Sequence, residues 1–277
     1  MTRWPAICAL VGVLGFVVSE RSARAIEPFV LYDDFNGAGV DAEKWLGAEG
    51  SSLLGRDAGH FVQNGQARLK NRSVGFTATD SGVGANFVIL AVPNPAAVTQ
   101  MKATVATPTI SITGCAGNTQ SIDGTAATVI GSFFNTGTPT NGDQTNDVIA
   151  EIGIFAAPGS IAATHGARVL GVILQCTDAT CDTFNIVGGA DFGSIAVGAA
   201  TTVGMIWDAV THQFTFHRNG ASDVQAPYNL SDTSSPGLPF KGLEAINRVA
   251  NCTTTPRPVA DVLATFDDFF VNQSAIQ

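Results

Sequence analysis

Two acidic residues stand four positions apart in an otherwise apolar run of strand length, Asp147–Phe155. Side chains alternate along a strand, so the run predicts one core face and one outward face carrying Asp147, Ile149, Glu151, Gly153 and Phe155. At a rise of about 3.3 Å per residue, the two acidic Cα atoms would lie about 13 Å apart. Carboxyl groups leaning together would reach the range of acid–base chemistry, so both are candidate catalytic residues. The competing interpretation is that Asp147 starts the strand and Glu151 is a solvated position.

The cysteines form a second group with chemistry of its own. Besides Cys8, the chain carries Cys115, Cys176, Cys181 and Cys252, and four cysteines permit three pairings. The short polar segment between Cys176 and Cys181 is typical of a loop joining two strands, which favours a bond between these two residues. Cys115 and Cys252 would then pair over a long separation. The spacing is not that of a zinc site, and the expected compartment is oxidising, so disulfides are favoured over metal binding.

Short apolar runs separated by turn clusters must position these residues. We find no sustained helical periodicity after residue 25, and the pattern favours an all-β protein. The candidate strands are Phe29–Phe35, Gln66–Lys70, Asn86–Val92, Met101–Ala106, Ala126–Phe134, Asp147–Phe155, Ala167–Gln175, Phe184–Val187, Thr202–Trp207, Gln213–Arg218, Leu243–Val249 and Val259–Val271. These are too many for one flat sheet, so two packed sheets are expected. Two long polar stretches, Thr107–Gly124 and Asn135–Asn146, interrupt the pattern.

The first 25 residues have the form of an export signal. Arg3 precedes an apolar stretch that is too short to span a bilayer, and Ala23-Arg24-Ala25 offers a cleavage site. Residues 1–25 are therefore a predicted signal peptide, residues 26–277 a single domain, and the product secreted or periplasmic without membrane insertion. Loss of three arginines and one glutamate with the signal takes the net charge from −9 to −11. Such an acidic chain argues against nucleic acid and anionic membranes as partners.

Five segments carry a family resemblance by their order along the chain. They are Tyr32-Asp33-Asp34-Phe35, Val40-Asp41-Ala42-Glu43-Lys44-Trp45, Val62-Gln63-Asn64-Gly65-Gln66-Ala67-Arg68-Leu69, the hairpin from Ile206-Trp207-Asp208 to Asn219-Gly220, and Phe266-Asp267-Asp268-Phe269-Phe270-Val271. In this order they resemble the concanavalin A-like lectin/glucanase superfamily, which includes laminin G-like jelly rolls. The resemblance implies a two-sheet antiparallel jelly-roll sandwich with the first and last strands side by side.

The resemblance also suggests where a site would lie, although one fold hosts many activities. Glucanases of this fold carry Glu-x-Asp-x-Glu on a central strand of the concave sheet. Here Asp147 replaces the first glutamate and Ile149 replaces the middle aspartate, so the motif is degenerate. Lectin-type binding uses aromatic faces and planar polar groups. The predicted ligand contacts are Asp147, Glu151, Phe155 and Trp45, whereas Trp207 alternates with apolar residues and is assigned to the core.

A structural calcium ion is a further hypothesis. If the first and last strands pair, Asp33 and Asp34 would neighbour Asp267 and Asp268, and clustered carboxylates without lysine partners favour a hard cation. Alternatively, the aspartates face solvent or protect strand edges by their charge.

Three functions follow from this sequence. The first is a secreted noncatalytic sandwich that binds a glycan on a cell surface or in an extracellular matrix. The second is a structural or interaction protein without a sugar site. The third is a divergent laminarinase-like glycoside hydrolase.

Overall fold

The computed structural model describes residues 27–51, 55–75, 79–118, 124–157 and 167–276. The predicted signal peptide, residues 1–25, lies outside this part of the chain. No helix among the described residues has both the length and the apolar character needed to cross a membrane.

Fifteen strands make up most of this part of the chain. They are β1 (Phe29–Asp33), β2 (Leu46–Ser51), β3 (Gly55–Gln63), β4 (Gln66–Val74), β5 (Val83–Ala91), β6 (Gln100–Ile112), β7 (Gly124–Asn135), β8 (Asp147–Ala156), β9 (Ala167–Cys176), β10 (Phe184–Ile195), β11 (Ala200–Asp208), β12 (Gln213–Arg218), β13 (Val224–Pro227), β14 (Lys241–Ala250) and β15 (Val259–Asn272). Two short 3₁₀ helices cover Pro95–Ala97 and Gln273–Ile276.

The strands form two antiparallel sheets. The eight-stranded sheet has the order β13-β12-β11-β6-β15-β4-β3, and β1 also pairs with β15. The seven-stranded sheet has the order β10-β9-β8-β7-β14-β5-β2. The first and last strands lie side by side, with Phe29 opposite Asn272. The predicted fold class, a two-sheet antiparallel jelly-roll sandwich, is confirmed.

Each predicted strand overlaps an observed one, but the sequence pattern missed three. These are β2, β3 and β13, and each lies at the end of a sheet. Edge strands need fewer apolar side chains than central strands do, so they leave a weaker alternation in the sequence. Three predicted strands also end at least four residues too early, because β4 continues to Val74, β6 to Ile112 and β10 to Ile195. The expected Asn64-Gly65 turn joins β3 and β4, with positive φ angles of 57° and 70°.

The core fills the space between the two sheets. Its largest fully buried side chains include Phe134, Phe214, Phe216, Phe266 and Phe269. Inward residues of β8, namely Val148, Ala150, Ile152 and Ile154, are completely buried in it. This confirms the core face that alternation predicts for Asp147–Phe155.

A buried polar network ties the two sheets together within this core. The Asn71 side-chain amide on β4 donates hydrogen bonds to the backbone oxygens of Asn86 (2.7 Å) and Ala245 (3.0 Å). In return, the Asn247 side-chain amide donates to the Asn71 backbone oxygen at 2.9 Å. The network therefore links β4 of one sheet to β5 and β14 of the other.

Both favoured disulfides are present. Cys115 is bonded to Cys252 across a sequence separation of 137 residues. Cys176 is bonded to Cys181 and closes the loop between β9 and β10.

Candidate functional site

The outward face of the seven-stranded sheet carries two buried acids on either side of its central strand, β7. Glu151 of β8 stands opposite Ile130 of β7, and Glu244 of β14 stands opposite Thr128 of β7. Ile130 and Thr128 are two residues apart and point the same way. On a flat sheet this register would place the two glutamate Cα atoms about 12 Å apart, from a strand spacing of about 4.8 Å and a rise of about 3.4 Å.

Alternation on β14 explains why Glu244 points outward. Its inward residues, Leu243, Ala245, Asn247 and Val249, are all fully buried between the sheets. Glu244 and Arg248 therefore face the other way, towards Glu151.

Burial has a strong effect on the protonation of both acids. Glu151 is 9% exposed and Glu244 is 5% exposed. Burial raises the pKa of Glu151 to about 7, against the opposing effects of the Arg248 guanidinium and the Thr128 hydroxyl. Burial and the nearby Glu151 carboxylate raise the pKa of Glu244 to about 8, while Arg248 acts in the opposite direction. The pair therefore keeps at least part of its protons near neutral pH.

The face is strongly concave. The Arg248 guanidinium carbon on β14 lies 4.5 Å from the centre of the Phe184 ring on β10, although three strands separate β14 from β10. The resulting groove has a larger half of about 560 Å³ and a smaller half of about 300 Å³. Glu151 and Arg248 line both halves, so they occupy the middle of the groove.

Most of the larger half is apolar. Its aliphatic and aromatic lining includes Leu46, Phe87, Ile89, Ile130, Ile149, Leu174, Leu238 and Phe240. Polar side chains are few, and they comprise Gln144, Glu151, Thr180, Asp182, Glu244 and Arg248.

One carboxyl oxygen in this groove lacks a protein partner. Glu244 Oε2 is buried, and no described group hydrogen-bonds to it. A buried polar atom in that state costs free energy unless another molecule satisfies it.

Two tied loops form the wall at one end of the groove. The backbone amide of Gln144 donates to Ala179 O at 3.0 Å, which joins the segment after β7 to the loop closed by the Cys176–Cys181 bond. This contact gives a structural role to the long polar stretch Asn135–Asn146.

Asp147 holds another part of the wall, and it does not itself line the groove. Its carboxylate is fully buried and accepts hydrogen bonds from the backbone amides of Gly237 (2.7 Å) and Leu238 (3.0 Å) and from Asn135 Nδ2 (2.7 Å). Leu238 lines the groove. Asp147 is therefore a positioning residue.

The other predicted contacts divide between the groove and the core. Phe155 lines the smaller half. Trp45 is only 3% exposed, and its ring packs against Tyr32, Phe35 and Phe269. Its indole NH donates to Asp33 Oδ2 at 2.7 Å. The structure thus brings Glu151 and Phe155 to one face and places Trp45 elsewhere.

Sequence reasoning missed Glu244 and Arg248. An available signal was an acid and a base four positions apart, and so on one face, within the strand-length run Leu243–Val249. Only the pairing of β14 with β7 shows that they face Glu151.

The four predicted calcium ligands do not form one close cluster among the described residues. Asp33 already accepts hydrogen bonds from Trp45 and from the Phe35 backbone amide, and it lies 3.8 Å from Lys44 Nζ. Asp267 has a raised pKa because of burial and the nearby Asp268 and Asp34 carboxylates, so these acids are neighbours. Across the described ranges, however, the one set of three close potential ligands is Asp80, Cys115 and Cys252. The two cysteines of that set are joined in a disulfide.

Comparison with known proteins identifies similar folds only at low sequence identity. No family model and no curated protein matches the sequence. LamA from Z. galactanivorans, in complex with laminaritriose and laminaritetraose, is 12% identical with a TM-score of 0.48, and the match covers 88% of this chain and 98% of that one. The Lotus tetragonolobus seed lectin is 10% identical with a TM-score of 0.41, covering 88% and 100%. A mutant of the GH43 protein BlXynB from Bacillus licheniformis is 12% identical with a TM-score of 0.38, and 86% of this chain matches only 38% of that protein. The chain itself is a sandwich of two antiparallel sheets with its first and last strands side by side.

Proposed function

We propose that this protein is an exported, noncatalytic sandwich that binds a carbohydrate in the groove of the seven-stranded sheet. The observation that carries the proposal is Glu244 Oε2, a buried oxygen without a protein partner in a groove open to solvent. A sugar hydroxyl can either donate or accept, so it can form the missing hydrogen bond with this carboxyl group in either protonation state.

The surrounding groups suit a ligand that is polar at its edges and apolar on its faces. Glu151 and Arg248 supply acceptors and donors in the middle of the groove, and the rings of Phe87 and Phe240 supply apolar surface. The two disulfides are consistent with an oxidising compartment outside the cytoplasm.

Binding can be tested with a panel of neutral oligosaccharides and disulfide-intact protein, measured by titration calorimetry. Glu244→Leu removes the acceptor without adding volume, and we expect it to weaken binding roughly 10- to 100-fold, the usual cost of a lost hydrogen bond to a charged or buried group. Glu43→Gln, at an exposed position outside the groove, is the matched control. Absence of binding to every member of the panel, or equal binding by both variants, would contradict the proposal and favour a structural role.

A second candidate function is glycoside hydrolysis, and the specific observation in its favour is Glu244. The degenerate motif on β8 lacks a partner acid for Glu151, and β14 supplies one from the far side of β7. With their raised pKa values, one of these two glutamates would be the acid and the other the base or nucleophile. Release of reducing ends from laminarin, abolished in both Glu151→Gln and Glu244→Gln, would establish this function in place of simple binding.

A further inference from the structure

We infer that the carbohydrate bound in the groove carries a protonated primary amine, as an amino sugar without an N-acyl group does, and that this amine lies beside Glu244. The inference rests on the proposed function and adds the chemical class of the ligand. Its basis is an excess of carboxyl groups over cations in the larger half of the groove, together with one carboxyl oxygen that no described group satisfies.

The charged side chains of the groove are distributed unevenly. Three carboxyl groups line the larger half, those of Glu151, Asp182 and Glu244, and the one cation among the described residues that line it is Arg248. The smaller half has the reverse balance, because Arg168 and Arg248 stand there against Glu151. This difference favours an additional positive charge in the larger half and disfavours one in the smaller half.

Arg248 alone does not neutralise the two buried acids. When Glu151 and Glu244 are both ionised, one guanidinium faces two carboxylates, so the three groups together carry one uncompensated negative charge. Repulsion from the Glu151 carboxylate adds to burial in raising the pKa of Glu244. A proton can supply the missing positive charge, and so can the ammonium group of a ligand.

The surroundings of Glu244 suit an ammonium group in two ways. Its Oε2 atom is buried without a hydrogen-bond partner, and an ammonium group has three N–H donors. The rings of Phe87 and Phe240 line the same half of the groove, and aromatic faces attract cations. A hydroxyl group at this position would form the hydrogen bond but would leave the negative charge uncompensated.

Protons on Glu151 and Glu244 are the main competitors of a bound ammonium group. Among the described residues that line the groove, β2, β5 and β7 contribute no titratable side chain, and Arg168 of β9 is held in an ion pair with Asp191. As the pH rises through the pKa values of about 7 and about 8, the two glutamates lose their protons. The affinity for an ammonium ligand should therefore rise with pH for as long as the amine stays protonated.

The experiment compares three β-1,4-linked trisaccharides that differ only at C2, which carries a hydroxyl in the glucose form, an amine in the glucosamine form and an acetamide in the N-acetylglucosamine form. Titration calorimetry of the disulfide-intact protein at about pH 6.5 should show roughly 10- to 100-fold tighter binding of the glucosamine form, the usual effect of a hydrogen bond to a charged group. From about pH 5.5 to about pH 6.5, that affinity should rise by up to about tenfold, the limit for one displaced proton. The affinities of the two neutral forms should stay constant.

Two variants test the position of the amine. Glu244→Gln keeps the shape of the side chain and removes its charge, so the preference for the glucosamine form should fall below about threefold. Asp182→Asn, at an exposed position in the larger half, should reduce the preference by less, and it keeps the test valid if a change at Glu244 disturbs folding. Glu43→Gln is the matched control, because it removes one carboxylate at an exposed position outside the groove.

The outcomes separate the inference from the proposed function. If a neutral oligosaccharide binds as tightly as the glucosamine trisaccharide, the inference is overturned and the proposed function stands. If Glu43→Gln lowers the preference as much as Glu244→Gln does, the preference comes from the overall negative charge of the protein, which also overturns the inference. Binding of ethanolamine as tight as that of the glucosamine trisaccharide would contradict carbohydrate recognition and, with it, both proposals.

Discussion

Strand β14 carries buried polar side chains on both of its faces, and the hydrogen bonding of these side chains differs between the two faces. On the inward face, the Asn247 amide donates to Asn71 O at 2.9 Å and to Ser73 Oγ at 3.2 Å. On the outward face, Glu244 Oε2 has no partner among the described groups. Both side chains are at least nine-tenths buried.

This difference distinguishes two kinds of buried polar side chain. Those of the asparagine network support folding, whereas those of the groove are open to a ligand. The asparagine network joins the two sheets, and its hydrogen bonds offset the cost of burying amides. Glu244 Oε2 forms no such bond, and burial raises the pKa values of both glutamates at a cost to stability near neutral pH. Sites that bind or react commonly carry this kind of local cost, because the ligand supplies the missing contact.

Among the single substitutions that test this comparison, we expect Asn71→Ala to change the free energy of unfolding most. The change removes donors to Asn86 O and Ala245 O and an acceptor for Asn86 Nδ2, all inside the core. We expect a loss of about 3 kcal/mol in the free energy of unfolding, because several buried groups lose partners together. Urea denaturation measures this loss. Asn229→Ala at an exposed position is the control, and a loss below about 1 kcal/mol at Asn71 would contradict the assigned role.

Glu244→Gln should act in the opposite direction. Glutamine keeps the shape and carries no ionisable proton, so the folded state no longer bears the cost of a buried carboxyl whose pKa is about 8. At pH 7 we expect a gain of roughly 2 kcal/mol in the free energy of unfolding, and almost none at about pH 3, where glutamate is largely protonated in both states. The affinity of Glu244→Gln for an oligosaccharide should also differ from that of the wild-type protein. Destabilisation at pH 7 would show that Glu244 has a structural partner.

The two faces also differ in how far the sequence could predict them. Alternation in Asp147–Phe155 correctly separates Ile152 and Ile154 in the core from Glu151 on the groove, because a period of two is a local property. The position of Glu244 beside Glu151 depends on β14 lying next to β7, which no local pattern encodes. Trp45 illustrates the same limit, since its burial against Phe269 follows from the pairing of β1 with β15.

The dependence of stability on pH should show a minimum near neutrality. Glu151 and Glu244 have pKa values raised to about 7 and about 8, so their stabilising contribution is complete below pH 4.5 and is lost as the pH rises through these values. Lys241, on the inward face, has a pKa lowered by burial to about 7. Above that pH its folded form has lost a proton that the unfolded chain keeps up to about 10, so stability should rise again with pH.

Variants should separate the two limbs of this profile. Lys241 Nζ donates to Pro95 O at 2.8 Å and lies 4.7 Å from the Phe133 ring centre, so Lys241→Met keeps much of the packing while removing the proton. We expect Lys241→Met to abolish the rise above pH 8, and Glu151→Gln with Glu244→Gln to abolish the fall between pH 5 and 7. Each proton contributes a slope of about 1.4 kcal/mol per pH unit. Lys102→Met, at a partly exposed position, is the control and should change neither limb. A flat profile in the wild-type protein would mean that water or a ligand reaches these groups and keeps their ionised forms solvated.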